Sequence, residues 1–248
     1  MSGHSKWSTI KRKKGAKDAQ RSKLFSKLIK EVTVAARMGG GDLEGNPRLR
    51  LAVAKARDAN MPADNIKRAI QKGTGELEGV HYEEVIYEAY GPGGVALLIE
   101  TLTDNRNRTV GEVRHVLDRN GGKLAAAGAV NHLFSISGTI LVERGKLDED
   151  TLMAAALEAG AEDVRSDPEM YEVLTAPGDV VSVAEKLKAA GIAVETAEVS
   201  RLPSLTVPLE GKPAQTMLRL VDLLEELDDV QKIYANFDIS AEEMAKAE

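Results

Sequence analysis

The first residues of the chain place a cluster of positive charge around its single tryptophan, Trp7. Six basic side chains lie in this segment, namely Lys6, Lys11, Arg12, Lys13, Lys14 and Lys17. Such a run favours phosphate backbones, because binding releases the counterions that condense on a polyanion. Trp7 can add stacking on an unpaired base or a ribose. The segment therefore predicts contact with nucleic acid. The alternative is a solvated arm in which Trp7 anchors the chain against the helical bundle.

A predicted helix continues the same positive surface. Between positions 21 and 37 the apolar residues recur at helical spacing and share one face. On the opposite face lie Lys23, Lys27, Lys30 and Arg37. A stripe made mainly of lysine suits phosphate contacts more than the reading of base edges. It therefore favours recognition of backbone and shape, as ribosomal RNA would offer.

Arg106 and Arg108 lie where a predicted strand gives way to a helix. The start of a helix presents free N–H groups and a positive dipole end, so two arginines there are candidates for a further anion contact. The alternative is a polar turn in which Asp104, Asn105 or Asn107 caps the helix.

The distribution of charge supports a polyanion partner. The 248 residues carry a formal net charge of −6, but residues 1–78 hold 18 basic and 8 acidic side chains. The remainder holds 15 basic and 31 acidic side chains. Asymmetry of this kind points to a polyanion partner for the basic part, and the acidic part would hold that partner to one surface.

Other kinds of site find little support in the residue types. The chain has no cysteine, which excludes disulfides, thiolate metal sites, iron–sulfur clusters and a cysteine nucleophile. Its four histidines have no metal-ligand spacing. Neither a phosphate-binding loop ending in Gly-Lys-Ser/Thr nor a Gly-x-Ser-x-Gly elbow occurs. We therefore expect neither a catalytic centre nor a cofactor nor a metal.

Hydropathy and the acidic residues set two further expectations. No apolar run approaches the ~18 residues of a membrane span, and the first residues lack the apolar core of a secretory signal. We expect a soluble, cytoplasmic protein that does not bind a membrane.

Residues 223–229 end a predicted helix with an acidic cluster, most simply a solvated surface. A basic protein partner at that cluster would instead make the chain a protein–protein adaptor.

The basic region is predicted to be entirely helical. One helix covers 21–37, and a second begins at Asn46-Pro47, a capping residue followed by proline at the first helical position. A third follows Met61-Pro62 and stops at Gly73. Three short amphipathic helices can bury one another's apolar faces as a bundle.

After residue 80 the periodicity changes to that of strands. Strands are predicted at 82–90, 95–103 and 131–136, with a turn at 91–94 and a helix over 108–119. A strand–helix–strand–strand–helix–strand series follows, at 139–143, 148–159, 162–165, 170–174, 180–190 and 192–199. That order is typical of a ferredoxin-like unit. A last strand–helix–strand set, at 205–209, 214–227 and 230–237, is free to pair with the earlier hairpin.

The predicted fold class is therefore α+β with three domains: an N-terminal helical bundle, an α+β middle domain, and a ferredoxin-like domain inserted into the middle domain. The predicted limits are 1–78 for the bundle, 79–136 plus 204–248 for the middle domain, and 137–203 for the ferredoxin-like domain.

Several short runs of the chain resemble motifs of the YebC/PmpR family. The matching runs are Gly3–Trp7, Arg21–Leu28, Asn46–Arg50, Asn60–Pro62, Tyr90–Gly94, Thr103–Thr109 and Val113–His115. The chain departs from the family at Ala129, where a serine is usual. The resemblance implies the same three domains and a regulator of gene expression without a cofactor. It implies either DNA binding with transcriptional control, or action on the ribosome at difficult stretches such as proline runs.

The resemblance also assigns part of the predicted contact surface. The family's shared basic residues match Lys6, Arg21, Lys23, Lys27 and Arg106 in this sequence. The other members of the predicted surface rest on charge alone, namely Lys11, Arg12, Lys13, Lys14, Lys17, Lys30 and Arg108. We expect a non-enzymatic, DNA-binding transcriptional regulator, with a ribosome-associated, RNA-binding translation factor as the alternative.

Overall fold

A computed structural model gives the architecture of the chain and describes Trp7 and residues 18–145, 147–166 and 170–246. The fold class is α+β, as predicted. Helices come first, and two antiparallel sheets follow, each with helices on one face. Within the described ranges, none of the helices combines the length and the apolar character that crossing a membrane requires.

Three helices form the N-terminal bundle. They are α1 (Asp18–Gly39), α2 (Pro47–Asp58) and α3 (Ala63–Thr74). The predicted cap of α2 is confirmed, because Asn46 accepts a hydrogen bond from the Leu49 N–H at 3.0 Å. Its amide also donates to the carbonyl of Ala35 on α1, which ties the start of α2 to the first helix.

One glycine of the bundle has a different role from the one predicted. The helix α3 continues past Gly73, and the left-handed residue that ends it is Gly75, with a φ of 83°. A Cβ at Gly73 would lie 2.4 Å from the carbonyl oxygen of Thr33, so glycine there allows α3 to pack closely on α1. The prediction of a stop at Gly73 is therefore wrong by two residues.

The first sheet collects strands from both sides of the ferredoxin-like unit. Its members are β1 (Glu83–Tyr90), β2 (Ala96–Thr103), β3 (Lys123–Leu124) and β9 (Val230–Ala235), in the order β3-β1-β2-β9. The helices α4 (Arg106–Arg119) and α7 (Gly211–Glu225) supply its apolar cover. Leu98 of β2 pairs with Tyr234 of β9, so the chain's last third returns to the hairpin, as predicted.

The second sheet has the strand order of a ferredoxin-like unit. It contains β4 (Phe134–Glu143), β5 (Asp163–Ser166), β6 (Met170–Thr175) and β7 (Val194–Pro203), in the order β5-β6-β4-β7. The helices α5 (Glu149–Ala159) and α6 (Val180–Ala189) cover one face with a separate apolar cluster. The exact limits of the three domains stay predictions.

Residues 134–143 form the single strand β4, where the sequence predicts two strands, at 131–136 and 139–143. A Cβ at Gly138 would lie 2.1 Å from the Thr175 hydroxyl, so glycine permits close pairing in mid-strand instead of ending the strand. Residues 131–133 form a short 3₁₀ turn before it.

The predicted strand over 230–237 is interrupted at Asn236, whose side chain accepts from the Ala96 N–H at 2.7 Å. The short elements β8 (Val207–Pro208), β10 (Phe237–Asp238) and α8 (Ala241–Lys246) complete the fold.

Candidate nucleic-acid interface

The lysine stripe of α1 lies against the C-terminal end of α7. Lys23 donates from Nζ to the carbonyl of Glu226 at 3.2 Å, and Lys27 donates to that of Glu225 at 2.7 Å. Lys30 donates to the carbonyl of Asp228 at 3.0 Å. The last carbonyls of a helix lack partners within the helix and carry the negative end of its dipole. In this structure, the stripe predicted to meet nucleic acid therefore caps a helix of the same chain.

A buried carboxylate lies beneath this contact. The Asp229 side chain is only 2% exposed, and it accepts from Lys30 and from Arg108, each at 2.7 Å. The hydroxyls of Thr109 and Thr103 also donate to it, at 2.7 and 3.2 Å. Burial by itself raises the pKa of Asp229, but the hydrogen bonds from Arg108, Lys30 and Thr109 outweigh it and lower the pKa to about 2. Asp229 is therefore a fixed negative charge that joins α1 to the first sheet.

The acidic cluster at 223–229 is only in part the solvated surface that the sequence predicted, since Glu226 and Asp228 are exposed. Its last member is buried and paired with basic residues of the same chain. Charge pattern identifies the cluster, but nothing in the sequence indicates which cation reaches it.

A second carboxylate joins the bundle to both sheets. Glu198 on β7 accepts from Lys55 of α2 at 2.9 Å and from Lys232 of β9 at 2.6 Å. Desolvation raises the pKa of Glu198, but the two ammonium groups outweigh it and lower the pKa to about 2. This ion triad lies beside a cleft of about 540 Å³ between the bundle and the two sheets. Within the described ranges, no group of three or more histidine, cysteine, aspartate or glutamate side chains could hold a metal ion.

Trp7 lies in the apolar core between the first sheet and α7. Its side chain is 6% exposed, and its Nε1 donates to the Asp222 carboxylate at 3.0 Å. A ring buried in this way cannot stack on a base without leaving the core. The geometry favours the alternative role of an anchor, although the anchor meets the middle domain and not the helical bundle.

The helix α4 begins at Arg106, two residues before the predicted start at Arg108, and Asn105 caps it by accepting from the Arg108 N–H at 3.1 Å. The Arg108 guanidinium binds both Asp104 and Asp229, at 2.6 and 2.7 Å, and these hydrogen bonds raise its pKa further. The side chain of Arg106 pairs with Glu83 but remains 63% exposed. The capping alternative therefore describes this turn, and Arg106 is the more accessible of its two arginines.

The remaining predicted contacts lie outside the part of the chain whose side chains the structure describes. They are Lys6, Lys11, Arg12, Lys13, Lys14, Lys17 and the side chain of Arg21. Their contact with nucleic acid stays a prediction. The structure adds four exposed basic side chains on the bundle that form no ion pair with any described residue, namely Arg57, Lys67, Arg68 and Lys72.

Glu88 is a buried carboxylate that no pattern in the sequence indicates. Glu88 accepts from the backbone N–H groups of Gly128 and Val130, each at 2.6 Å, and from that of Asn131 at 2.9 Å. Burial opposes ionisation, yet these three donors lower the pKa of Glu88. Because the contacts come from the backbone, alanine in place of serine at 129 removes none of them.

Two family models together match most of the chain. Residues 5–76 match the model of the TACO1/YebC protein N-terminal domain, and residues 82–237 match that of the TACO1/YebC second and third domain. The chain belongs to the TACO1/YebC family, and the resemblance seen in its motifs is confirmed.

Individual relatives match along nearly the whole chain. A probable transcriptional regulatory protein of Geobacter sulfurreducens is 59% identical over 246 residues, which cover 99% of each chain. One of the same description from Acidithiobacillus ferrooxidans is 58% identical over 248 residues, covering 100% of this chain and 99% of that protein. The crystal structure of a conserved hypothetical protein from Aquifex aeolicus matches with a TM-score of 0.82 at 50% identity, covering 90% of this chain and 92% of that one.

Proposed function

We propose that the protein is a non-enzymatic, DNA-binding regulator of transcription that contacts the nucleic-acid backbone through its N-terminal region. The main support for this proposal is the excess of positive charge in residues 1–78, which hold 18 basic and 8 acidic side chains. The names of its relatives, probable transcriptional regulatory proteins, support the role in transcription.

The lysine stripe suits this role physically. Lys23, Lys27 and Lys30 lie three and four residues apart on one face of α1 and span roughly 10 Å of helix. A row of ammonium groups on a rigid helix can follow a row of phosphates, and each contact adds affinity through counterion release. Arg106 and the bundle's basic residues that form no ion pair with a described residue add further exposed positive charge.

The same lysines favour a second candidate, a translation factor bound to ribosomal RNA. Lysine-to-phosphate contacts carry no base sequence, so they serve shape and backbone recognition as well as duplex DNA. The adaptor hypothesis has less support, because Asp229, the most buried acid of the cluster it would use, is already paired within the chain.

Co-sedimentation with ribosomes separates these candidates. Lysate is centrifuged at near-physiological salt with excess duplex DNA, and the protein is followed in the pellet. A transcriptional regulator stays in the supernatant with the DNA. Pelleting with ribosomes despite the competitor would overturn the transcriptional proposal in favour of translation, and binding to neither would refute nucleic-acid recognition.

A further inference from the structure

The lysines proposed to bind nucleic acid already have partners within the chain. The Nζ atoms of Lys23, Lys27 and Lys30 lie between 2.7 and 3.2 Å from carbonyl oxygens of residues 225–228. We propose that the end of α7 is an internal competitor for nucleic acid, and that the helical bundle must move away from α7 before the stripe can bind. This inference rests on the proposed function and concerns the regulation of the same site.

The end of α7 has the chemistry of a phosphate substitute. It presents carbonyl oxygens at the negative end of a 15-residue helix, followed by the ionised Asp229. Glu225, Glu226 and Asp228 add negative charge around the same turn. A row of lysines therefore finds here the two features that a nucleic-acid backbone offers, closely spaced oxygen acceptors and negative potential.

Opening must break the shielded Lys30–Asp229 pair, but other contacts that hold the bundle in this position are open to solvent. Lys55 pairs with Glu198 while remaining 44% exposed, and Arg48 pairs with Glu84 on β1. Ion pairs whose cation is open to solvent in this way are weaker than the shielded Lys30–Asp229 pair and are partly screened by salt. The apolar cluster of the bundle is separate from the clusters of the two sheets. The bundle can therefore leave α7 as an intact unit.

We call the molecule closed while the stripe lies against α7, and open once the bundle has moved away. Only open molecules bind nucleic acid, so the apparent affinity is the intrinsic affinity multiplied by the open fraction. A change that weakens a closing interaction outside the stripe should therefore strengthen nucleic-acid binding, even where it removes a positive charge. Removing a cation that binds phosphate should instead weaken nucleic-acid binding.

The first test compares Lys55→Ala with Lys67→Ala, two exposed lysines of the bundle of which only Lys55 has an ion partner among the described residues. Affinity for a labelled duplex DNA and for labelled ribosomal RNA is measured at fixed salt. We expect Lys55→Ala to bind roughly twofold to fivefold more tightly than the native chain, as the loss of one exposed ion pair allows. We expect no such gain for Lys67→Ala. A Lys55→Ala variant that binds no more tightly than Lys67→Ala would overturn the proposal.

The second test locks the closed arrangement. Because the chain has no cysteine, Ser26→Cys with Glu226→Cys supplies the only two thiols. Ser26 lies among the stripe lysines on α1, and the Glu226 substitution keeps the carbonyl that Lys23 contacts. A flexible bismaleimide joins the two thiols, and the same variant capped with N-ethylmaleimide is the control.

We expect the cross-linked protein to lose about tenfold or more in affinity relative to the capped control, because its open fraction is removed. Equal affinity, or failure of the cross-link to form, would overturn the proposal. A capped control that binds neither DNA nor ribosomal RNA would instead refute the proposed function itself, so the two failures are distinguishable.

Discussion

The Lys30 ammonium lies 2.7 Å from the Asp229 carboxylate and joins α1 of the basic bundle to the turn that follows α7. The two side chains are 13% and 2% exposed, so the pair is largely shielded from solvent. The same carboxylate binds Arg108 at the start of α4. One aspartate thus connects the stripe lysine, the anion-contact candidate of α4 and the end of α7.

Replacing Asp229 with asparagine should destabilise the protein by about 2–4 kcal/mol, because Lys30 and Arg108 lose their shared counter-charge. Urea unfolding measures the change in the free energy of unfolding. Asp228→Asn is the matched control, since Asp228 is exposed and contributes its backbone carbonyl to Lys30. Equal stability of the two variants would contradict the role given to Asp229.

Acid should weaken the fold through the two carboxylates that join the bundle to the sheets. Their pKa values fall to about 2 in the folded state, from ordinary values of 3.8 for Asp229 and 4.5 for Glu198. Groups with depressed pKa values stabilise the folded state above the unfolded pKa, and that stabilisation is lost as pH falls through the folded one. We expect the urea midpoint to drop between pH 4.5 and 2, with a shallower drop in Asp229→Asn. An identical pH profile in both proteins would exclude Asp229 as a source.

Trp7 should report a buried anchor in fluorescence. As the chain's only tryptophan, and 6% exposed, it should emit at short wavelength and resist quenching by iodide. Addition of duplex DNA should leave the emission largely unchanged, because the ring does not reach a base from the core. Emission typical of exposed tryptophan, together with strong quenching by DNA, would restore the stacking role. Trp7→Phe, which keeps an aromatic ring but removes the hydrogen bond to Asp222, should lower stability by about 1 kcal/mol.

Glu88→Gln should lower stability by about 1–3 kcal/mol, because an amide replaces one acceptor oxygen with a donor facing backbone N–H groups. Ala129→Ser is the companion variant, and thermal unfolding compares the two. The serine adds a hydroxyl within the same loop and leaves the three backbone donors in place, so it should change stability little. A Glu88→Gln protein as stable as the native chain would show that the three backbone contacts carry little energy.

Much of the fold could be predicted because local patterns determine it. The apolar spacing of α1, the Asn46-Pro47 start of α2 and the order of strands and helices from β4 to β7 all follow from periodicity and turn chemistry. The two-residue strand β3 was missed, since two residues carry no periodic signal.

The site was predictable only in part. The stripe of Lys23, Lys27 and Lys30 is visible in the sequence, but its acceptors lie about two hundred residues away along the chain. Charge pattern identifies a surface and carries no information on which distant oxygen faces it. The sequence likewise identifies Trp7 as a candidate contact residue. It does not indicate that the ring is buried beside Asp222, because that helix lies near the opposite end of the chain.

The most direct test of nucleic-acid recognition is the salt dependence of binding to duplex DNA. Lys11, Arg12, Lys13 and Lys14 are replaced together by alanine, and the control replaces Arg57, Lys67, Arg68 and Lys72, an equal loss of charge elsewhere in the basic region. Affinity is measured on unrelated DNA sequences over a range of salt concentrations.

We expect the first variant to bind every sequence more weakly and to have a flatter plot of log affinity against log salt, by about 0.9 for each phosphate that the variant no longer neutralises. The control should flatten the plot less, since the tryptophan-containing segment is the predicted centre of contact. An unchanged slope in the Lys11–Lys14 variant would contradict backbone recognition by this part of the chain.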